Sequence, residues 1–382
     1  MQDNVVESVT GNARIRPIVM PKWGLSMAEG KVTGWLKPVG TRIAVGDEIL
    51  EVETDKIAGV VEAGDAGILR RAIGARDTIY PVKALIGVIA DAEVSDQEID
   101  AFVEGYAAPA EDGEEDAAEA GPKYEFADTP FGRLRYAKRG SGETAIVLVH
   151  GFGGDLDNWL FNIDALAGAG TVHAVDLPGH GQSDKTVGTA SLAWLSDALL
   201  AFMDAQGIGK AHLVGHSMGG AIAMETALAH PERVASLALI GSAGLGEEIN
   251  GGYTDGFVSA SSRRDMKPVL EQLFHDPATV TRQLVEDILK YKRIDGVDGA
   301  LSALAAGLFP GGRQAGVLAD RLKATDVPVL VVFGASDRVI PPAHAEALAG
   351  RAQVEVLAEA GHMVQMEKAN RVNELLAAHI GR

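Results

Sequence analysis

"LVGHSMGGAIAMETAL", residues 213–228, decides how the larger part of this chain is read. An apolar, strand-like run ends at Gly215, a Gly-x-Ser-x-Gly turn follows, and the pattern then continues as an amphipathic helix. A serine on such a strand-to-helix turn is held in a strained conformation that lifts its hydroxyl above the sheet, and Gly215 and Gly219 permit the close approach of strand and helix. The helix start then aims backbone N–H groups and the positive end of its dipole at the same place. The N–H of Met218, just after Ser217, is therefore a candidate oxyanion donor.

A serine hydroxyl is a poor nucleophile at its free pKa and needs a base, which in turn needs an orienting acid. "VPVLVVFGASDRVIP" (327–341) reads as a buried strand that delivers Asp337 at its C-terminal end. "VEVLAEAGHMVQMEKANRVNELL" (354–376) reads as a strand, a turn that presents His362, and a helix. Ser217 would attack a carbonyl, His362 would take its proton, and Asp337 would hold the imidazole and stabilise its cation. "IVLVHGFGGD" (146–155) leaves a strand in a Gly-rich turn, where the N–H of Phe152 is the first expected oxyanion donor; the same stretch also reads as an ordinary strand exit. From about residue 124 onward, strand-like runs alternate with helical patterns, which argues for a largely parallel sheet. These residues, in the chain order Ser217, Asp337, His362 and with "DLPGHGQSD" (176–184), resemble the α/β-hydrolase family. The domain so expected spans 124–382. Residues 245 to about 320 interrupt the strand rhythm and read as a helical cap that sets substrate choice. His150, His180 and His216 raise the question of a metal, but each sits inside a turn typical of that family, so local structural roles are expected.

The first zone, about 13–92, has short strand-like runs with frequent Gly and Pro. "GWLKPVGTRIAVGDEILEV" (34–52) lines up with "GILRRAIGARDTIYPVKALIGV" (67–88), as two β units of a small flattened barrel would. Their join falls around "ETDKIAG", which places Lys56 at a hairpin tip, either displayed for modification or a solvated lysine only. "MPKWGLSMAEGKVTGWL" and "VGDEILEVETDKIAGVVEA" resemble the lipoyl domains of 2-oxo acid dehydrogenase complexes over roughly 15–90. The resemblance implies an amide-linked lipoate on Lys56. Biotin-carrying domains share the architecture but usually flank the lysine with methionines, where this chain has Asp55 and Ile57.

Residues 93–123 read as an acidic linker that begins with a short helix. Ser95 and Glu98 stand at capping-box spacing, and Ile99, Phe102, Val103 and Tyr106 share one helical face. So short a helix must dock, either on one of the two domains or on a partner enzyme. "AAPAEDGEEDAAEAGP" (107–122) cannot bury a core and reads as solvated chain with an r.m.s. span of about 20–24 Å.

The net charge of −19 over 382 residues is concentrated. Residues 91–122 hold twelve Asp or Glu and no Lys or Arg, leaving −7 for the rest, and no basic stripe suited to nucleic acid exists. No apolar run reaches the ~18 residues of a membrane helix. The start of the chain lacks the apolar stretch of a signal peptide. With no cysteine, thiol nucleophiles and disulfides are excluded, and a cytoplasmic protein is expected.

A multidomain chain with a small all-β lipoyl-type flattened barrel ahead of an α/β-hydrolase fold resembles the family of dihydrolipoyllysine-residue acetyltransferases of acetoin dehydrogenase complexes. The resemblance implies acetyl transfer from lipoyl-lysine to coenzyme A, an oligomer, and two partners. One is a thiamine-diphosphate enzyme that cleaves acetoin; the other is a flavin-containing dihydrolipoamide dehydrogenase. The usual acyltransferase signature of such complexes, His-x-x-x-Asp-Gly, is absent, and no clear peripheral-subunit-binding domain is found. The alternatives are a lipoyl-bearing hydrolase cleaving an ester, thioester or carbon–carbon bond, and a carrier whose second domain is only a scaffold.

Overall fold

The computed structural model of the chain describes residues 14–21, 27–54, 58–106 and 124–381. Two compact units result, Met1–Ala120 and Gly121–Arg382. Lys56 with its neighbours Asp55 and Ile57, and the linker expected over 107–122, lie outside the described residues.

The first unit runs β1 (Ile15–Val19), β2 (Glu29–Trp35), β3 (Arg42–Ile43), β4 (Glu48–Glu53), β5 (Ala58–Glu62), β6 (Gly67–Ala72), β7 (Thr78–Pro81) and β8 (Leu85–Ala90). They form two four-stranded antiparallel sheets, ordered β1-β8-β6-β3 and β5-β4-β2-β7. Advancing every strand by four places maps one order onto the other, so the repeat seen in the sequence is a two-fold repeat of structure. The third strand of each half crosses over: β3 pairs with β6, and β7 pairs with β2. Neither half can therefore close its sheet alone. The inward faces supply Met20, Val32, Leu50, Val52, Leu69 and Ile86, all fully buried. Trp35 spans the two halves and donates its indole N–H to the Gly74 carbonyl at 2.8 Å.

The helix expected after this barrel forms as α1 (Asp96–Gly105), with a complete Ser95–Glu98 capping box. Ile99 is wholly buried and packs with Ile15, Val88, Ala90 and Val94, while Phe102 and Val103 press on the same cluster. Arg71 pairs with Asp100 at 2.7 Å and with Asp96 at 3.1 Å, and the Tyr106 hydroxyl donates to the Lys83 carbonyl at 3.2 Å. The apolar face is thus spent on the barrel, which removes it as a docking face for a partner enzyme.

The second unit runs β9 (Glu125–Thr129), β10 (Gly132–Arg139), β11 (Ala145–Val149), α2 (Ile163–Leu166), β12 (Thr171–Val175), α3 (Leu192–Ala205), β13 (Ala211–His216), α4 (Met218–Ala229) and β14 (Val234–Ile240). Then come α5 (Gly251–Ser259), α6 (Arg263–Leu270), α7 (Arg282–Lys292), α8 (Val297–Leu308), α9 (Ala319–Lys323), β15 (Val329–Gly334), β16 (Gln353–Leu357), α10 (Val364–Glu367) and α11 (Ala369–Ile380). The eight-stranded sheet has the order β16-β15-β14-β13-β11-β12-β10-β9. It is parallel from β12 to β16 and antiparallel at β9 and β10. A parallel strand covered on both faces becomes uniformly apolar, and every residue of β15 is buried. The chain leaves β11 for β12 on one side, then returns to place β13 on the other. That reversal opens the crevice where ligands bind in open α/β sheets.

Helix α4 differs from the amphipathic pattern expected of it. Met218 to Met224, Thr226 and Ala227 are all buried, because the helix lies between the sheet, α3 and α9. The interruption of strand rhythm is the run α5–α8 between β14 and β15, a helical cap. Its buried Lys292 donates to the carbonyls of Phe257, Val258 and Ala260 at 2.7, 2.7 and 2.8 Å, closing the C-terminal end of α5. Among the described residues no helix is long and apolar enough to cross a membrane.

Candidate active site

Ser217 has φ 52° and ψ −119°, a conformation that non-glycine residues avoid. The strain is held by backbone bonds: Ser217 N–H donates to Ile240 at 2.9 Å, and its carbonyl accepts from Ala243 at 3.0 Å. The two glycines are required by contact. A Cβ on Gly215 would sit 2.4 Å from the Gly219 carbonyl oxygen, and one on Gly219 would sit 2.2 Å from that of Val149. Ser217 is 5% exposed and His362 1%.

His362 and Asp337 come together as the sequence implied. His362 Nδ1–H donates to Asp337 Oδ2 at 2.7 Å. The other carboxylate oxygen accepts the N–H of Val339 at 2.8 Å and of Ile340 at 2.9 Å, so the acid cannot rotate without losing two bonds. Gly241 walls the pair; a Cβ there would lie 3.3 Å from His362 Nδ1 and 3.5 Å from Asp337 Oδ2. The base turn is tied to the serine's neighbour, since His216 Nε2–H donates to the His362 carbonyl at 3.0 Å. Among the described residues no hydrogen bond joins the Ser217 hydroxyl to His362. Such bonds are often loose until substrate is present.

The loop after β11 lies against this turn. A Cβ on Gly151 would be 3.0 Å from Ser217 Cβ. Among the described residues neither the Phe152 N–H nor the Met218 N–H has an acceptor, which leaves both for a developing oxyanion. From the cap, the Phe257 and Phe309 rings stack edge-on against Phe152, each at 5.9 Å. A pocket beside Met218 is lined by Leu192, Ala243, Leu308, Phe309 and Gln314.

The three histidines bond to backbone, and among the described residues no group of three His, Cys, Asp or Glu could hold a metal. His150 Nε2 accepts the Leu177 N–H at 3.0 Å, so its proton sits on Nδ1, donated to the Gly151 carbonyl at 2.8 Å. His180 Nε2 accepts the Gly153 N–H at 3.2 Å and Nδ1–H donates to Pro178 at 3.1 Å. Burial holds His150, His180 and His216 below the ordinary imidazole range, hence neutral.

Sequence reasoning missed Asp176 and Arg135. The fully buried Asp176 carboxylate accepts from Leu156 N–H at 2.8 Å, Gln182 N–H at 2.8 Å and Arg135 Nε at 2.5 Å. One aspartate thus pins "DLPGHGQSD" to the segment that carries Phe152. Asp176 heads that quoted motif, so its position was visible; its partner Arg135, on β10, was not.

The chemistry of a lipoyl attachment requires a lysine amine on an accessible turn. The strands on either side of residues 54–57 pair antiparallel, with Glu53 opposite Ala58, and Lys56 is the lysine of that link. Lys31 on β2 is committed to an ion pair with Glu53. The described strands that flank the link, β4 and β5, are compatible with such an attachment.

The family described as "alpha/beta hydrolase fold" matches residues 144–369, and the one described as "Biotin-requiring enzyme" matches 16–78. The dihydrolipoyllysine-residue acetyltransferase component of the acetoin cleaving system from Cupriavidus necator is 56% identical, covering 96% of this chain and 98% of that protein. Its counterpart from Pseudomonas putida is 50% identical, covering 96% and 99%. Among solved structures, a meta-cleavage product hydrolase from Pseudomonas fluorescens is 28% identical, with a TM-score of 0.62 over 67% of this chain and 97% of its own.

Proposed function

We propose how the chemistry runs from one premise: this chain belongs to the family of dihydrolipoyllysine-residue acetyltransferase components of acetoin cleaving systems. It is an acetyltransferase with a lipoyl-type domain and an α/β-hydrolase domain, a component of a multienzyme assembly. Lys56 would hold an amide-linked lipoyl group, which would supply the thiol that carries acetyl to the site. Ser217 Oγ attacks the thioester carbonyl while His362 takes its proton, and the N–H groups of Phe152 and Met218 hold the oxyanion. Asp337 steadies the imidazolium, which then protonates the departing thiolate. The acetyl ester on Ser217 is next attacked by the thiol of coenzyme A. His362 removes that thiol's proton and returns it to Ser217 as the ester breaks. The partners we assign are a thiamine-diphosphate enzyme that cleaves acetoin and a flavin-containing dihydrolipoamide dehydrogenase.

The observation that carries the reading is the His362–Asp337 contact of 2.7 Å, with the acid locked by two backbone donors, beside a strained Ser217. Transfer in place of hydrolysis requires that a thiol outcompete water for the acyl-enzyme. The hydrolase alternative has its own support in the likeness to the meta-cleavage product hydrolase. Supplying acetyl-dihydrolipoamide with and without coenzyme A separates the two. Acetyl-coenzyme A as the main product supports transfer; free acetate as the main product with coenzyme A present supports hydrolysis.

A further inference from the structure

The turns that carry the acid and the base are both fastened to one short segment of the cap, residues 271–275. From the acid turn, Arg338 donates to the carbonyls of Glu271 and Phe274 at 2.7 and 2.6 Å, and the Ser336 hydroxyl meets His275 Nδ1 at 2.9 Å. From the base turn, Met363 N–H donates to Leu273 at 3.0 Å. Gly361 lies so close that a Cβ would be 2.7 Å from the Phe274 carbonyl carbon and 2.8 Å from His275 N. The two turns also bond directly, Ser336 N–H to Ala360 at 2.8 Å.

One side chain joins cap and base turn through both of its oxygens. Glu367, at the end of α10, accepts the Gly361 N–H at 2.7 Å with one and the His275 N–H at 2.6 Å with the other. Gly361 immediately precedes His362, and two residues earlier Glu359 has a φ of 52°, so this turn is strained and needs outside bonds to keep its shape. Both oxygens of this half-buried carboxylate are occupied by backbone N–H donors, Gly361 and His275, which gives it a structural task. Desolvation pushes its carboxyl above the usual range despite two N–H donors that favour the charged form.

We infer that Glu367 is a positioning residue for the reaction: it couples the cap to the base turn, so that the seating of segment 271–275 sets the place of the His362 imidazole. The inference rests on the assignment of His362 as base. It predicts an effect on turnover more than on substrate affinity, because Glu367 bonds Gly361 and His275 and so acts through the turn that carries His362.

The test compares Glu367→Ala, Glu367→Gln and His362→Ala in the full chain, measuring kcat and KM for acetyl transfer from acetyl-dihydrolipoamide to coenzyme A. A small displacement of a catalytic group costs about 100-fold in rate. Glu367→Ala is expected to lose about that much in kcat, with KM changed less than about threefold. Glu367→Gln keeps one carbonyl acceptor and replaces the other with a donor, so it should recover about tenfold of the loss. Glu367→Gln conserves volume and carries the test alone if the alanine variant does not fold. Wild-type kcat in Glu367→Gln while His362→Ala is inactive overturns this inference and leaves the triad standing. A change confined to KM also overturns it. Wild-type turnover in His362→Ala instead removes the base assignment on which the inference rests.

Discussion

Asp337→Asn separates the electrostatic role of the acid from its structural one, because the site dictates how the amide must sit. The oxygen that receives Val339 and Ile340 N–H groups must remain an oxygen. Turning the amide round would set its NH₂ against those two donors, leaving buried polar groups unpaired at about 1–3 kcal/mol each. About 2–6 kcal/mol therefore holds the NH₂ toward His362. Nδ1 of His362 must then accept, which moves the ring proton to Nε2, the atom that has to receive the serine proton. Wrong-tautomer variants of such triads lose roughly 10⁴ in kcat, about 5.4 kcal/mol at about 1.36 kcal/mol per decade. All three contacts are kept with their polarity adjusted, so unfolding free energy should move by less than about 1 kcal/mol, as for a retained hydrogen bond. The assay is kcat for acetyl transfer beside a urea unfolding curve of the same preparation. A variant within about tenfold of wild type would refute the locked-tautomer argument, as would a kcat loss explained by unfolded protein.

Lys56→Arg should abolish a single lipoyl adduct seen by intact mass in a lipoate-replete host; an adduct that persists means another lysine is the attachment site. Ile99→Ala should destabilise the first unit by about 2–4 kcal/mol in urea, since a fully buried isoleucine is truncated; unchanged stability would mean that α1 is not docked in solution. Acid should weaken the second unit well before its carboxylates titrate. His150, His180 and His216 are held below the ordinary value of 6.5 by burial, and His173 is lowered to about 4. As pH falls through 6.5 the unfolded chain binds these protons first, so stability present above that pH is lost toward pH 4, with each group adding up to about 1.4 kcal/mol per pH unit. Urea midpoints at pH 7.5 and 5.5 check this, and equal midpoints contradict it.

The parts of this fold written as local pattern were legible. Strand, glycine turn and helix at 213–228 placed Ser217, and apolar strands followed by turns placed Asp337 and His362, because each depends on residues next to it in sequence. Ser95 and Glu98 announced α1 for the same reason. The amphipathic face of α1 said that something covers it, but could not say what, since Ile15, Val88 and Val94 are joined to it only by folding. The repeat between 34–52 and 67–88 revealed two halves yet hid the exchange of β3 and β7, because pairing partners across a pseudo-dyad leave no spacing signal. Helix α4 lacks the polar face expected of an amphipathic helix: even Thr226 is buried and bonds Ser196 and the Ile222 carbonyl. Arg135 and Glu367 were unreadable, as each finds its partners through the assembled sheet and cap.

The most direct measurement is a single turnover with radiolabelled acetyl-dihydrolipoamide, quenched in acid and mapped by peptide mass. If Ser217 carries the group, label appears on the Ser217 peptide when coenzyme A is absent, and moves to acetyl-coenzyme A when it is added, with no label bound in Ser217→Ala. Acetyl-coenzyme A formed at the wild-type rate by Ser217→Ala would contradict a serine-borne acetyl group.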